Sequence, residues 1–561
     1  MFSTKELKQI SYRLLFLIGA VLGAICFIGI YGVKVLDFTN TGWLFFGDND
    51  LRQHYIAWCH FRSEPWRFPF GLMNTLSYPD SMSVIYTDSI PIFAVFFKLY
   101  NGVMPESFQY FGLFGILSFM LMGGLSAIFL RRFIDDDVIC IIGSLFYILS
   151  FQVIHRMYYH TALAAQWIII LALIIWVYDE KIEGTIKKGL IWAGMGFLCV
   201  AIHSYYLAMV GMVLAALMVC QYVKNHVKDE KIIIAAQLPL IEFVAFCVGG
   251  LFNLWILGAF DGEASASGYG LGTFSSNLNT FVNSMGYTRL IPGLPVYYDF
   301  QYEGFGYLGA GILFLYIVIA IGLVIRRVRK VPEKAFHQNK IYGQVTALLV
   351  LVSFMAAVLP DVAFGSIKII HIPYPQFVQK ILGIFRSNGR LVWVAVYVFM
   401  TAGISFAAYT FRRYRPIAIS LILFALVTQI MDGSKMYKEK HDYFTSDFSY
   451  QTMWDDPDLA FITNDTNEFI FLYTDNDITL ETAYYGYLHG NRRQNNYYFA
   501  RDIDDKLRLK IEEEMENLRS GNLKNDAIYV ITEEMYQQDP EFYNNLDANI
   551  IRKYNHIFIS R

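Results

Sequence analysis

The chain has 561 residues, 55% of them hydrophobic, with mean hydropathy +0.38 and a formal net charge of −3. That is more apolar than a soluble chain of this length, so a water-soluble globular protein is excluded and lipid is the expected solvent for most of it. The six cysteines, Cys26, Cys59, Cys140, Cys199, Cys220 and Cys247, fall mostly inside apolar runs, and no CxxC or other zinc spacing occurs. Neither a disulfide framework nor a thiolate metal site is expected.

Apolar runs of about 18 to 22 residues recur along the chain, each long enough to cross a hydrocarbon core of roughly 30 Å. Eleven spans are predicted, near residues 14–35, 108–130, 138–154, 162–178, 190–202, 206–223, 232–258, 306–325, 343–360, 391–410 and 416–431. Lys5, Lys8 and Arg13 precede the first; Arg131 and Arg132 follow the second; Lys181, Lys187 and Lys188 follow the fourth. Lys224, Lys228 and Lys231, then Arg326, Arg327, Arg329 and Lys330, then Arg412, Arg413 and Arg415 fall on the same side. Cytoplasmic loops carry this excess, so the N-terminus is predicted inside and the C-terminal segment outside, with the first span an uncleaved anchor.

Three long loops are then external: 37–107, 260–305 and 361–389. Within them, Ile90 to Tyr100 is apolar but too short to span, and is predicted to lie along the interface as an amphipathic helix. An interfacial or re-entrant piece is expected at Tyr374 to Phe385. The Gly268 to Gly272 stretch lacks the strand and helix that a phosphate-cradling loop needs. From about residue 432 the composition turns charged, with a net −11 to the C-terminus against +8 for the membrane part. Phe469 to Tyr473, Ala527 to Thr532 and Ile550 to Ile559 read as buried strands, and Asp502 to Arg519 as an amphipathic helix. The fold predicted is therefore an α-helical polytopic membrane protein of about eleven transmembrane helices (1–431), with a C-terminal extracytoplasmic α/β domain (432–561).

The polar chemistry collects in the external loops. In Gly47-Asp48-Asn49-Asp50-Leu51-Arg52-Gln53-His54, a helix starting near Asp50 would put Asp50 and His54 on one face as two proton-handling groups; alternatively Asp48 or Asp50 only caps that helix. Asp88 stands before the interfacial helix as a substrate-facing group or as its cap. Trp58, with Tyr55 and Trp66, offers a flat surface for sugar rings. Tyr302 and Glu303 lie at the outer mouth of the eighth span. Arg386 and Arg390 lie at the outer end of the tenth, against the charge bias of the other loops, so they require an anionic partner. His155, Arg156, His160 and His203 sit on the same side, as ligands or as satisfied interface residues. Glu242, inside the seventh span, is expected in an interhelical hydrogen bond or protonated.

Asp50-Leu51-Arg52-Gln53-His54-Tyr55-Ile56-Ala57-Trp58 with Phe61-Arg62 and Pro65-Trp66, together with Tyr302-Glu303-Gly304-Phe305 and Phe385-Arg386-Ser387-Asn388-Gly389-Arg390, resembles a family of bacterial polytopic membrane proteins. That family is grouped with the C-type (GT-C) glycosyltransferases, which use polyprenyl-phosphate sugars. The likeness extends through Tyr487-Leu488-His489-Gly490 and Phe499-Ala500-Arg501. It implies a GT-C-like fold in the bacterial cytoplasmic membrane and an acidic residue of the first external loop, at Asp50 or Asp48, serving the acceptor or a divalent metal such as Mg or Mn. The expected partners are a polyprenyl-phosphate-linked sugar donor, a cell-envelope glycan acceptor and membrane lipids, with no nucleic acid. Inverting transfer is the expected reaction, and a non-enzymatic transporter or flippase of lipid-linked sugar is the alternative. The transporter would need polar residues lining the spans, and these are nearly clean apart from Glu242.

Overall fold

Ser11 opens the first long helix by accepting a hydrogen bond from Leu14 N–H at 3.2 Å, and Gly32 ends it with φ of +70°. Between those caps, Tyr12–Tyr31 carries no charged residue beyond Arg13. The computed structural model describes residues 9–45, 50–227, 232–261, 271–328, 340–376, 379, 383, 386–463, 466–473, 476–497 and 505–561. Among these, nine helices are long and apolar enough to cross a membrane: Tyr12–Tyr31, Phe111–Leu130, Asp137–Arg156, Thr185–Ile202, Tyr205–Asn225, Ala236–Ile256, Lys340–Val358, Asn388–Thr410 and Arg415–Thr445. The two other expected spans are the shorter apolar helices Thr161–Val177 and Ala310–Val324. The chain is an α-helical polytopic membrane protein with a small C-terminal sheet.

Two compact units result, one of Met1–Phe38, Tyr110–Leu251 and Gly270–Ser446, the other of Thr39–Gln109, Phe252–Tyr269 and Asp447–Arg561. The boundary expected at residue 432 from composition instead falls within the helix Arg415–Thr445. At 31 residues that helix is about 46 Å long, so it outruns the bilayer and its charged last turns remain helical.

In the first unit, the helices Tyr12–Tyr31 and Phe111–Leu130 approach through small residues. A methyl on Gly23 would collide with the carbonyl of Phe119, and one on Gly123 with that of Gly19. Close backbone approach of this kind supplies the van der Waals packing that holds helices together in lipid. The segment 271–309 is irregular; 272–288 and 301–309 are mostly buried or half-buried while 289–300 is mostly exposed, and side chains satisfy backbone groups of the buried parts. Asp432 accepts from Leu290 N–H (3.0 Å), Ala310 N–H (3.0 Å) and the Tyr307 hydroxyl (2.7 Å). Gln429 accepts from Gly311 N–H at 2.9 Å and donates to Leu308 O at 3.0 Å. Glu242 receives a hydrogen bond from Gln221 of the neighbouring helix at 3.3 Å, the interhelical bond expected of it.

The second unit holds a five-stranded sheet in the order Arg493–Gln494, Glu468–Phe471, Ala527–Thr532, His556–Ser560, Asn549–Lys553. The first three strands are parallel and the last two antiparallel. Alternation in the central strand sends Ile528 and Val530 to one face, with Trp454, Leu459 and Tyr485, and Tyr529 and Ile531 to the other, with Leu518, Tyr536 and Tyr543. Both faces are thus covered by helices, as a sheet with parallel central strands requires. Ile550 to Ile559 is two strands rather than one, because Tyr554 and Asn555 (φ of +54° and +59°) turn the chain. The expected helix is Asp505–Arg519. The first long loop belongs to this unit: Gln494 N–H donates to Thr75 O at 2.8 Å, and Tyr78 N–H to Gln494 O at 2.9 Å. The short apolar helix expected within Ile90 to Tyr100 is present at Pro91–Lys98. Tyr374 to Phe385 and Gly268 to Gly272 lie largely outside the described residues.

Candidate functional site

The first unit gathers its charges around one carboxylate. Glu303 lies in a short helical turn, Asp299–Gly304, held by the buried segment before it. Ser276 and Thr280 donate through their hydroxyls to Gly304 O at 2.8 and 2.7 Å. Glu303 Oε2 accepts from Arg156 Nη2 and from Arg390 Nε, each at 2.7 Å, and Oε1 lies 3.5 Å from His160 Nε2. Glu303 is 3% and Arg156 1% exposed. Burial alone would raise the Glu303 carboxyl, but the two guanidinium groups and His160 overcome it and hold the acid well below the usual carboxylate range.

The sequence around Arg390 explains how it reaches that carboxylate. Asn388 donates to Ala356 O, Ala357 O and Leu359 O at 2.7 to 3.1 Å, closing the end of the helix Lys340–Val358. A Cβ on Gly389 would come within 2.7 Å of Gly304 Cα, so only glycine lets the two segments meet. Ser387 N–H donates to the Tyr205 hydroxyl at 2.8 Å, and the Arg390 guanidinium lies 4.6 Å from the Tyr205 ring centroid. Arg156 is backed by Trp393, at 5.7 Å, whose indole N–H donates to Phe305 O at 3.1 Å.

Of the residues expected here, Arg156, His160, Glu303 and Arg390 come together. Tyr302 contributes its carbonyl to Arg156 at 3.5 Å, and His155 packs among Tyr159, Tyr287 and Phe305. His203 stands one step away, its Nδ1 accepting from Tyr205 N–H at 3.2 Å. Arg386 is not in the Glu303 cluster; its guanidinium lies 4.7 Å from the Phe274 ring. Sequence reasoning missed Trp393, Ser276 and Thr280. The run Ser275-Ser276-Asn277-Leu278-Asn279-Thr280 carried the signal, since five short polar side chains in six residues beside apolar spans imply a hydrogen-bonded web.

The second unit holds the other expected group. Asp50 immediately precedes the helix Leu51–Ser63, its backbone oxygen accepting from His54 N–H at 3.1 Å and its side chain making no capping hydrogen bond. Asp48 lies outside the described residues. Asp88 adopts a left-handed conformation (φ of +51°), and Ile90, not Asp88, occupies the cap position of Pro91–Lys98. Asp88 Oδ2 instead lies 3.7 Å from His54 Nε2, and Ser89 Oγ fixes the His54 carbonyl at 2.7 Å. Trp58 is corrected: it is fully buried, its indole N–H donating to Phe108 O at 3.2 Å, so it offers no face for a sugar. Tyr55 is buried likewise, whereas Trp66 remains open to solvent.

In the last turn of the helix Leu51–Ser63, His60 is fully buried, with Nε2 2.7 Å from Ala483 O and Nδ1 3.0 Å from Thr75 Oγ1. Burial pushes its imidazole down to about 4. Glu64 accepts from Thr75 N–H at 2.8 Å and from the Arg67 guanidinium, closing the turn after the helix.

No match is found among curated proteins. Among solved structures, the oligosaccharyltransferase of Archaeoglobus fulgidus in its apo form is similar over 95% of this chain and 71% of that one, with a TM-score of 0.43 and 11% identity. The model of one protein family, described as a domain of unknown function (DUF6311), matches residues 20–434, and the chain belongs to that family.

Proposed function

We propose that the protein is a GT-C-type membrane glycosyltransferase. It moves a sugar from a polyprenyl-phosphate donor to a cell-envelope glycan on the outer face of the bacterial cytoplasmic membrane. The alternation of Lys- and Arg-rich loops supports an inside N-terminus and an outside C-terminal segment. The observation that carries the reading is the Glu303 cluster. Two guanidinium groups converge on one carboxylate, and among the described residues Arg156 Nη1 is buried with no hydrogen-bond partner. Such a group favours an anion, and guanidinium binds phosphate oxygens through paired donors. Arg390 and Arg386 are assigned to the donor phosphate, with Arg156, Glu303, His155, His160, Tyr302 and His203 as their supporting surroundings.

Asp50 is assigned as general base. The acceptor hydroxyl oxygen bonds to the anomeric carbon as the bond from that carbon to the phosphate oxygen breaks, with inversion. The hydroxyl proton passes to Asp50, and the electron pair leaves on polyprenyl phosphate, where arginine stabilises it. His54, oriented by Asp88, is the neighbour that shares the proton. Asp48 is the alternative base, and the two aspartates are the assigned oxygen ligands if Mg or Mn takes part.

The test is transfer of labelled sugar by the purified protein from a short-chain polyprenyl-phosphate donor to an envelope glycan, with and without divalent metal. An inverted glycoside is the expected product. Movement of the donor across a vesicle bilayer without any transfer would replace this reading with a flippase.

A further inference from the structure

In the first unit, two residues beyond the helix Lys340–Val358, the chain forms a hairpin of Asp361–Phe364 and Ile367–His371. Its turn is clamped from beneath, Asn277 donating to Gly365 O at 2.9 Å and accepting from Gly365 N–H at 3.0 Å. The polar side chains of the hairpin are consumed close to home. Asp361 accepts from the Tyr298 hydroxyl at 2.9 Å and faces His371 Nδ1 at 2.7 Å and Lys368 Nζ at 3.2 Å. Most of what points outward is apolar: Phe364, Ile367, Ile369, Ile370 and Ile372 are 41 to 68% exposed, with Ser366, Lys368 and His371 exposed beside them.

Among the described residues, Ile367–His371 pairs only with Asp361–Phe364, so there it is also an edge strand with one row of backbone groups outside the ladder. In water, an apolar edge of this kind would template association with other chains. Deep in hydrocarbon, its unpaired backbone would be equally unfavourable. The level that satisfies both is the boundary between headgroups and acyl chains, where apolar side chains enter by about 5–10 Å and backbone groups still meet water. The position in the chain agrees. Lys340–Val358 is long enough to cross the hydrocarbon core, and the two residues after it reach at most about 7 Å.

We infer that this hairpin is a lipid anchor that lays Phe364, Ile367, Ile369, Ile370 and Ile372 into the membrane interface next to the helix Lys340–Val358. The inference rests on the membrane fold alone and stands apart from the sugar-transfer reading. It is tested with spin labels at Ile367→Cys and Ile369→Cys in the full chain carrying Cys26→Ala and Cys247→Ala, held in phosphatidylcholine nanodiscs. Leu509→Cys, on an exposed face of the helix Asp505–Arg519, is the comparison. Collisions with oxygen should exceed those with a water-soluble nickel chelate severalfold more at residues 367 and 369 than at 509. Nickel access equal to that at 509 would overturn the anchor. So would protection from both reagents, which would mean that protein, including a second copy of the chain, covers the hairpin. Both sites are exposed, so the labels are accommodated without repacking.

Discussion

Arg390 donates through Nε to Glu303 Oε2 at 2.7 Å, the oxygen that Arg156 also holds. A carboxylate shared between two buried guanidinium groups is hard to replace, because removing it deprives both desolvated charges of the anion they share. Glu303→Gln keeps the shape and removes the charge, so it should cost about 3–5 kcal/mol. A clear fall in the melting temperature of the purified protein checks this, and an unchanged melting temperature would mean that solvent or lipid compensates the arginines.

The two outer arginines should separate. Arg386→Lys keeps the charge but loses the planar fork, so donor use should weaken while thermal stability holds. Arg390→Lys should lower both, because its Nε bond to Glu303 and its stacking on Tyr205 go together. Donor titrations run beside thermal melts distinguish the pair, and equal behaviour of the two variants would remove the division of labour.

Asp50→Asn retains size and capping ability while removing the charge. Transfer should fall by at least about a hundredfold, with normal insertion and folding. Near-wild-type transfer would move the base to Asp48.

Stability should depend on pH through His60. Its imidazole is held at about 4 in the folded chain against an unfolded value near 6.5. Between these values the unfolded chain binds the extra proton, so stability is full above about pH 6.5 and falls as pH drops toward 4, by about 3 kcal/mol over the window. Unfolding measured at pH 7 and pH 5 should therefore show a loss in the parent chain that His60→Gln largely abolishes.

Cysteines introduced near Asn74 and Asp505 should react with an impermeant reagent in whole cells if the first loop and the C-terminal segment are external. Protection of both sites would reverse the orientation.

The spans were legible because eighteen apolar residues in a row have few other uses, and all eleven expected segments are apolar helices, two of them short. The partition into units was not. Composition sees the acidity of the C-terminal segment but not that Gln494 hydrogen-bonds Thr75, which is a matter of pairing across distant sequence. Arg390 was visible as a charge against the bias of the other loops, and its need for an anion was readable; that Glu303 meets it depends on Gly389 and Gly304 touching, and that Arg156 shares the same carboxylate was not readable. Trp58 misled because an aromatic next to polar residues reads alike whether it faces a sugar or the core. Asp88 could be read as a substrate-facing group or as a cap from its place before a helix; the left-handed turn at Asp88 and Ile90 excludes the cap and leaves its carboxylate beside His54.

The pairing of Thr75 with Gln494 also sets an order of assembly. Synthesis proceeds from the N-terminus at about 5–20 residues per second, so the first loop emerges roughly 20–80 s before its partner strand exists. For that interval its carbonyls and apolar side chains have no sheet to join, and the intervening spans must be inserted meanwhile. Chaperones and proteases therefore have a window on the loop that closes only when the last hundred or so residues are made, and a chain cut short before them should be degraded from the loop inward.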